Sequence, residues 1–167
     1  MSDTREDILQ RLFVILQGIP NLGTDPYIGG PTVYRNRDQL PDELRPGILL
    51  LDADETVVLK SVDNRDSSRT PTLVELKPEI YVCLKTIKPT NLDPSTNINV
   101  GTIINGYRLA ILKAVMNDTT LQGLVRVGYG GSINFSAVIT DLARNRTMMG
   151  EMGIAFFFTY PLIPSTL

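Results

Sequence analysis

The sequence predicts an α+β domain, a mainly antiparallel β-sheet with a long hairpin, packed by an N-terminal helix and a second helix. Three stretches carry this. In residues 72–85 (TLVELKPEIYVCLK), Val74, Leu76, Ile80, Val82 and Leu84 share one parity with Pro78, while Glu75, Lys77, Glu79, Tyr81, Cys83 and Lys85 share the other. Residues 149–160 (MGEMGIAFFFTY) alternate in the same way, with Met152, Ile154, Phe156, Phe158 and Tyr160 against Glu151, Gly153, Ala155, Phe157 and Thr159. Charges at every second position do not suit a strand buried on both faces, as a parallel sheet wound with helices requires, so the strands read as half-buried and antiparallel. Residues 3–17 switch to helical period, placing Ile8, Leu12, Ile15 and Leu16 on one stripe beside Leu9 and Phe13.

Taken in order, the first helix is capped by Asp3 or Thr4, suits its dipole with Glu6 and Asp7, and stops at Gly18 and Pro20. Residues 19–31 hold too many glycines and prolines for an element, and they lack phosphate-loop spacing. Residues 33–36 (VYRN) form a short strand followed by a polar turn through Leu40, Pro41 and Asp42. An apolar strand from Gly47 then runs into an acidic turn. The hairpin arms are residues 56–60 and 72–85, and the polar tip between them, 61–69 (SVDNRDSSR), has only Val62 to bury and is expected to be mobile. Pro78 cannot donate to a ladder, which places its strand near an edge or a bulge there.

Residues 88–99 are a second irregular crossing. Helical period returns over 100–116, with Ile103, Tyr107, Ala110, Ile111, Ala114 and Val115 as the buried stripe, closed by residues 117–120. Residues 124–143 read as two strand halves about Gly128, Gly130 and Gly131, the second alternating Ile133, Phe135, Ala137 and Ile139 with Asn134, Ser136, Val138 and Thr140. Arg144, Asn145 and Arg146 turn the chain into the closing aromatic strand, whose Phe157 is a large apolar residue on the outer face, covered by the second helix or by another subunit.

At 167 residues the chain is read as one domain with one sizeable core. Sixteen basic against eighteen acidic residues leave a net charge of -2, without the excess that sequence-independent nucleic-acid binding draws on. Cys83 is the single cysteine and there is no histidine, which excludes an intrachain disulfide and a cysteine-cluster zinc site and removes the usual base near neutral pH. The charged N-terminus lacks an apolar signal core and no segment has the length of a membrane span, so synthesis and retention in a cytosol are expected.

One motif invites catalysis. Asp52-Ala53-Asp54-Glu55-Thr56 after ILLL matches D-x-D-x-T following a hydrophobic strand, and so resembles the first motif of the haloacid-dehalogenase phosphatases. That resemblance implies Asp52 as nucleophile, Asp54 as acid and base, and a magnesium ion held by further carboxylates. No acidic pair ends a later apolar strand, and the strand-helix repeats of a doubly wound sheet are missing, so the expectation is no enzyme, no cofactor and no metal.

The element order resembles the tail-terminator (tail-completion) family of tailed bacteriophages. It does so through the amphipathic first helix, VYRN before a loop, RPGILLLDADE, LKPEIYVCLK, a helix closed by MND, and GEMGIAFFFTY near the end. The resemblance implies a structural virion protein, assembled in the host cytoplasm, that forms a hexameric ring terminating the tail tube at the head-tail junction. Its partners would be itself, the tail-tube protein and a neck or connector protein, with no membrane, no sequence-specific nucleic acid, and DNA passing through the channel. Another neck or connector protein is the nearest alternative, and a magnesium-dependent phosphatase the third. The expected subunit contact is the outer sheet face carrying Glu75, Lys77, Glu79, Tyr81 and Phe157, a face that would otherwise be merely solvated.

Overall fold

The computed structural model describes residues 3–20, 32–59, 72–85, 98–127, 130–140 and 149–162. The stretch 61–69, the remainder of the two irregular crossings at 21–31 and 86–97, Gly128 and the turn at 144–146 lie outside the described residues. The fold is α+β, with three helices and a mostly antiparallel mixed sheet of seven strands: α1 (Thr4–Gln17), β1 (Thr32–Arg35), β2 (Gly47–Leu51), β3 (Glu55–Leu59), β4 (Thr72–Leu76), β5 (Glu79–Lys85), α2 (Ile98–Met116), α3 (Thr119–Leu124), β6 (Ser132–Thr140) and β7 (Met149–Leu162).

The long alternating stretch is divided at Lys77 and Pro78 into β4 and β5, yet both halves keep one antiparallel register along β7, from Thr72 opposite Leu162 to Lys85 opposite Met149. This strand lies inside the sheet, between β7 and the line formed by β2 and β3. The proline is tolerated there because β2 and β3 part at the same level: Leu51 faces Glu79, Glu55 faces Leu76, and residues 52–54 leave the ladder between them. The donor that Pro78 lacks falls where the neighbour has stopped pairing.

Alternation puts Val74, Leu76, Ile80, Val82 and Leu84 on one face with Met152, Ile154, Phe156, Phe158 and Tyr160, all buried. The helices cover this face through Ile8, Leu9, Leu12 and Leu16 of α1, Ile104, Tyr107, Ile111 and Val115 of α2, and Leu121 of α3. Asp3 caps α1 by accepting the Arg5 N–H at 3.0 Å, and Gly18 closes it. Helix α2 begins at Ile98, earlier than its period indicated, and Ile104 rather than Ile103 sits at the centre of its buried stripe.

Two assignments at the C-terminal side of α2 are corrected. Residues 119–124 form a further helix where only the end of α2 was expected, and the first strand half expected from Leu124 is reduced to a bridge between Val127 and Gly131: Asp118 accepts the Leu121 N–H at 2.6 Å as the helix cap, and Leu121 and Val125, one turn apart, are both buried. Arg11 fixes the same carboxylate at 2.6 Å, so one aspartate ties α1 to α3. In β6, Phe135 faces Phe156 but Ala137 faces Ala155, so Ser136 is an extra residue. That bulge reverses the alternation. Ile133, Phe135 and Val138 therefore share the core side, and Ala137 and Ile139 turn to the opposite side.

The second sheet face was expected to be solvated or to meet another subunit, and one end of it is instead covered by the chain itself. Leu40, placed in a polar turn by its neighbours, is buried and packs with Leu49 and Cys83, flanked by Tyr34, Leu44 and Tyr81. Arg45 lies beneath this cover at 3% exposure, giving its Nε–H to the Leu40 carbonyl at 2.9 Å and pairing with Glu151. Burial pushes the Cys83 thiol up to about 11, which keeps it protonated and inert.

Candidate functional site

The acidic turn is occupied from within. Arg35, at the end of β1, donates from Nε and Nη2 to the two oxygens of Asp52 at 2.7 and 2.8 Å, and from Nη1 and Nη2 to the two oxygens of Glu6 at 2.7 and 2.8 Å. The Asp52 N–H is taken by the Asn36 side chain at 2.9 Å, and Arg5 donates to the Ala53 carbonyl at 2.8 Å. The guanidinium holds Asp52 below the usual carboxylate range and Glu6 at about 2. Asp52 is thus a clamp between β1, β2 and α1, whereas Asp54 is exposed.

These ion pairs carry a pH dependence of definite sign. A carboxyl that is more acidic when folded contributes stability above its unfolded pKa and loses it as pH falls through the folded value. For Glu6 that window runs from the ordinary 4.5 down to about 2. Asp118, lowered by Arg11, acts in the same sense. Urea midpoints measured against pH should fall steeply across that window in the native protein. The fall should become shallower in Arg35→Met, which removes the cation shared by Glu6 and Asp52.

The face of the sheet opposite α1, α2 and α3 holds the residues expected to meet another subunit, and the fold brings all five together. Glu75, Lys77, Glu79 and Tyr81 project from β4, β5 and the link between them, and Phe157 projects from β7 beside them. Their polar groups are matched inside the chain: Lys77 meets Glu75 at 2.9 Å and stands 5.0 Å over the Phe157 ring, while the Tyr81 hydroxyl donates to Glu79. That hydrogen bond, with some burial, raises Tyr81 to about 12. Phe157 does lie on the outer face, and Lys77, not α2, partly covers it.

Next to these residues is an apolar hollow of about 120 Å³ between Glu79, Tyr81, Ala137, Ile139, Gly153 and Ala155. Its floor is low because β7 offers glycine and alanine here. A Cβ on Gly153 would come 3.0 Å from the Tyr81 ring, which lies across the bare backbone. Ile139 forms the rim at 69% exposure, the most exposed large apolar side chain among the described residues. The alternation of β6 gave no warning of this, since only the bulge at Ser136 moves Ala137 and Ile139 to this side. Arg35 and Arg45 were equally silent, because an isolated arginine in a sequence does not announce its partner.

Among the described residues no group of three aspartate, glutamate, cysteine or histidine side chains is placed to hold a metal ion, and no helix is long and apolar enough to cross a membrane. Neither a scan with protein-family models nor a search of curated proteins finds a match to the chain.

Proposed function

We propose that the chain is a structural protein of a tailed bacteriophage, of the tail-terminator kind. Copies close into a ring, a hexamer by that resemblance, which caps the finished tail tube and joins it to the neck, leaving a channel for DNA. The observation that carries this reading is a sheet whose three α-helices among the described residues all pack on one side, while its other side presents Ile139 over a hollow floored by Gly153 and Ala155. A surface of small apolar residues with self-paired charges at its margin loses little on being covered by another protein surface, and such patches mark contact sites. The stretches that resemble the family lie in α1, β1, β2, β4, β5, α2 and β7, the frame of the domain. A neck or connector protein would use the same surface against different neighbours.

The phosphatase alternative is weakened by geometry. A nucleophilic carboxylate must have an oxygen free to attack, and both oxygens of Asp52 are held by Arg35. The functional test is to add the purified chain to the tail-tube protein encoded by the same genome while that protein polymerises. Tubes should stop growing and bear a ring at one end. Tube lengths that do not respond to the chain at any ratio would overturn the assignment.

A further inference from the structure

We infer that the free edge of β6 is a seam between copies, where β6 of one chain adds to the outer edge of β3 in the next and continues the sheet across the boundary. The inference deepens the ring reading above and rests on it. Strand β6 pairs with β7 on one side, and among the described residues no strand pairs with its other side. An edge of this kind presents a row of unpaired N–H and C=O groups, and proteins that stay monomeric blunt such rows with lysine, proline, inward charges, covering segments or bulges, of which β6 carries a single bulge, at Ser136. The nine residues of β6, SINFSAVIT, contain no charge and no proline. The bulge at Ser136 divides the edge into two runs, 132–135 and 137–140, and each leaves an apolar side chain in solvent, Phe135 at 40% and Ile139 at 69%.

The occupant that fits is extended backbone, since only another strand answers alternating donors and acceptors at ladder spacing. The chain carries a matching piece at the opposite end of its own sheet. Strand β3 pairs only with β4 among the described residues, has no lysine, and exposes Val57 and Val58 at 52% and 54%, the register shifting between Val57 and Leu59 so that Val58 is an extra residue there. Its one charged residue, Glu55, already accepts the Tyr160 hydroxyl. Two edges without lysine or proline and with exposed apolar residues thus lie on opposite sides of one sheet, so joining them is a head-to-tail contact, which closes into a ring when the rotation per copy permits. Pairing of β6 with β6 would instead be two-fold and stop at a dimer.

The test uses the full chain with Ile139→Lys and Val58→Lys made separately, both at positions more than half exposed, with circular dichroism to confirm folding. Each lysine should raise the concentration needed for assembly at least about tenfold. In the native assembly, hydrogen exchange should show amides of 132–140 gaining protection that the dissociated variants lack. Assembly undisturbed by both lysines, or amides in 132–140 that gain no protection on assembly, overturns the seam while leaving a ring built on the outer face. Loss of assembly with Ile139→Lys alone overturns it in favour of a contact through the outer-face hollow that Ile139 rims or of β6 paired with β6. A native chain that never assembles overturns the ring reading and the seam together.

Discussion

Phe156→Ala is expected to lower the stability of the folded chain by about 3–5 kcal/mol, the range for truncating a large aromatic in a packed interior. Phe156 is fully buried on the helix side of β7, edge-on to Phe135 with centroids 6.1 Å apart and tilted against Phe158 at 6.1 Å. Alanine there removes the rings' common partner and leaves a cavity that a pleated sheet cannot collapse to fill. Phe157→Ala, one residue along, points to the other face and loses mainly its contact with Lys77, so it should cost about 1 kcal/mol or less. Urea unfolding of both variants checks the alternation directly, and equal losses would contradict it.

Gly131→Ala should be at least as damaging, at about 3 kcal/mol or more, because no side chain can move to relieve it. A Cβ on Gly131 would lie 1.6 Å from the Val125 carbonyl oxygen and 3.0 Å from that of Thr159, both backbone atoms. The close approach arises where the chain leaves α3, takes a left-handed step at Arg126 (φ 55°) and enters β6 against β7. Gly123 is the internal control. A Cβ there meets nothing within 4 Å, and Gly123→Ala inside α3 should be neutral or stabilising by up to about 1 kcal/mol. Thermal unfolding should show a large loss for Gly131→Ala and no loss for Gly123→Ala.

Much of this fold was legible because period maps directly onto burial. The parities of 72–85 and 149–160 placed the core-forming residues of β4, β5 and β7 on the helix side, Cys83 alone among the residues of β5 being buried on the other face, and the period of 3–17 placed the buried stripe of α1. The hairpin of β3 with β4 followed from two runs about a polar tip. Periodicity failed where one residue changes the count or where a tertiary partner decides the outcome. Ser136 inserts into β6 without any mark in the sequence, Asp118 makes a helix out of TTLQGL by capping it, and Leu40 is buried because Cys83 and Leu49 lie across from it.

The site divides in the same way. Glu75, Lys77, Glu79, Tyr81 and Phe157 do share the outer face, as strand parity requires, but parity could not reveal that Glu75 and Lys77 satisfy each other. Nor could it locate the hollow, which draws on three strands and depends on the bulge. The aspartates of the acidic turn illustrate the converse. A short motif suggested chemistry, and the partner that determines the role of Asp52, Arg35, lies 17 residues away with no pattern to link them.

The central claim is a closed ring of this chain, and its mass tests that most directly. Native mass spectrometry on the intact 18.5-kDa chain should give one dominant assembly of six copies, near 111 kDa, with no ladder of larger species as concentration rises. A single 18.5-kDa species at every concentration, or an open series of sizes without an end point, would contradict it.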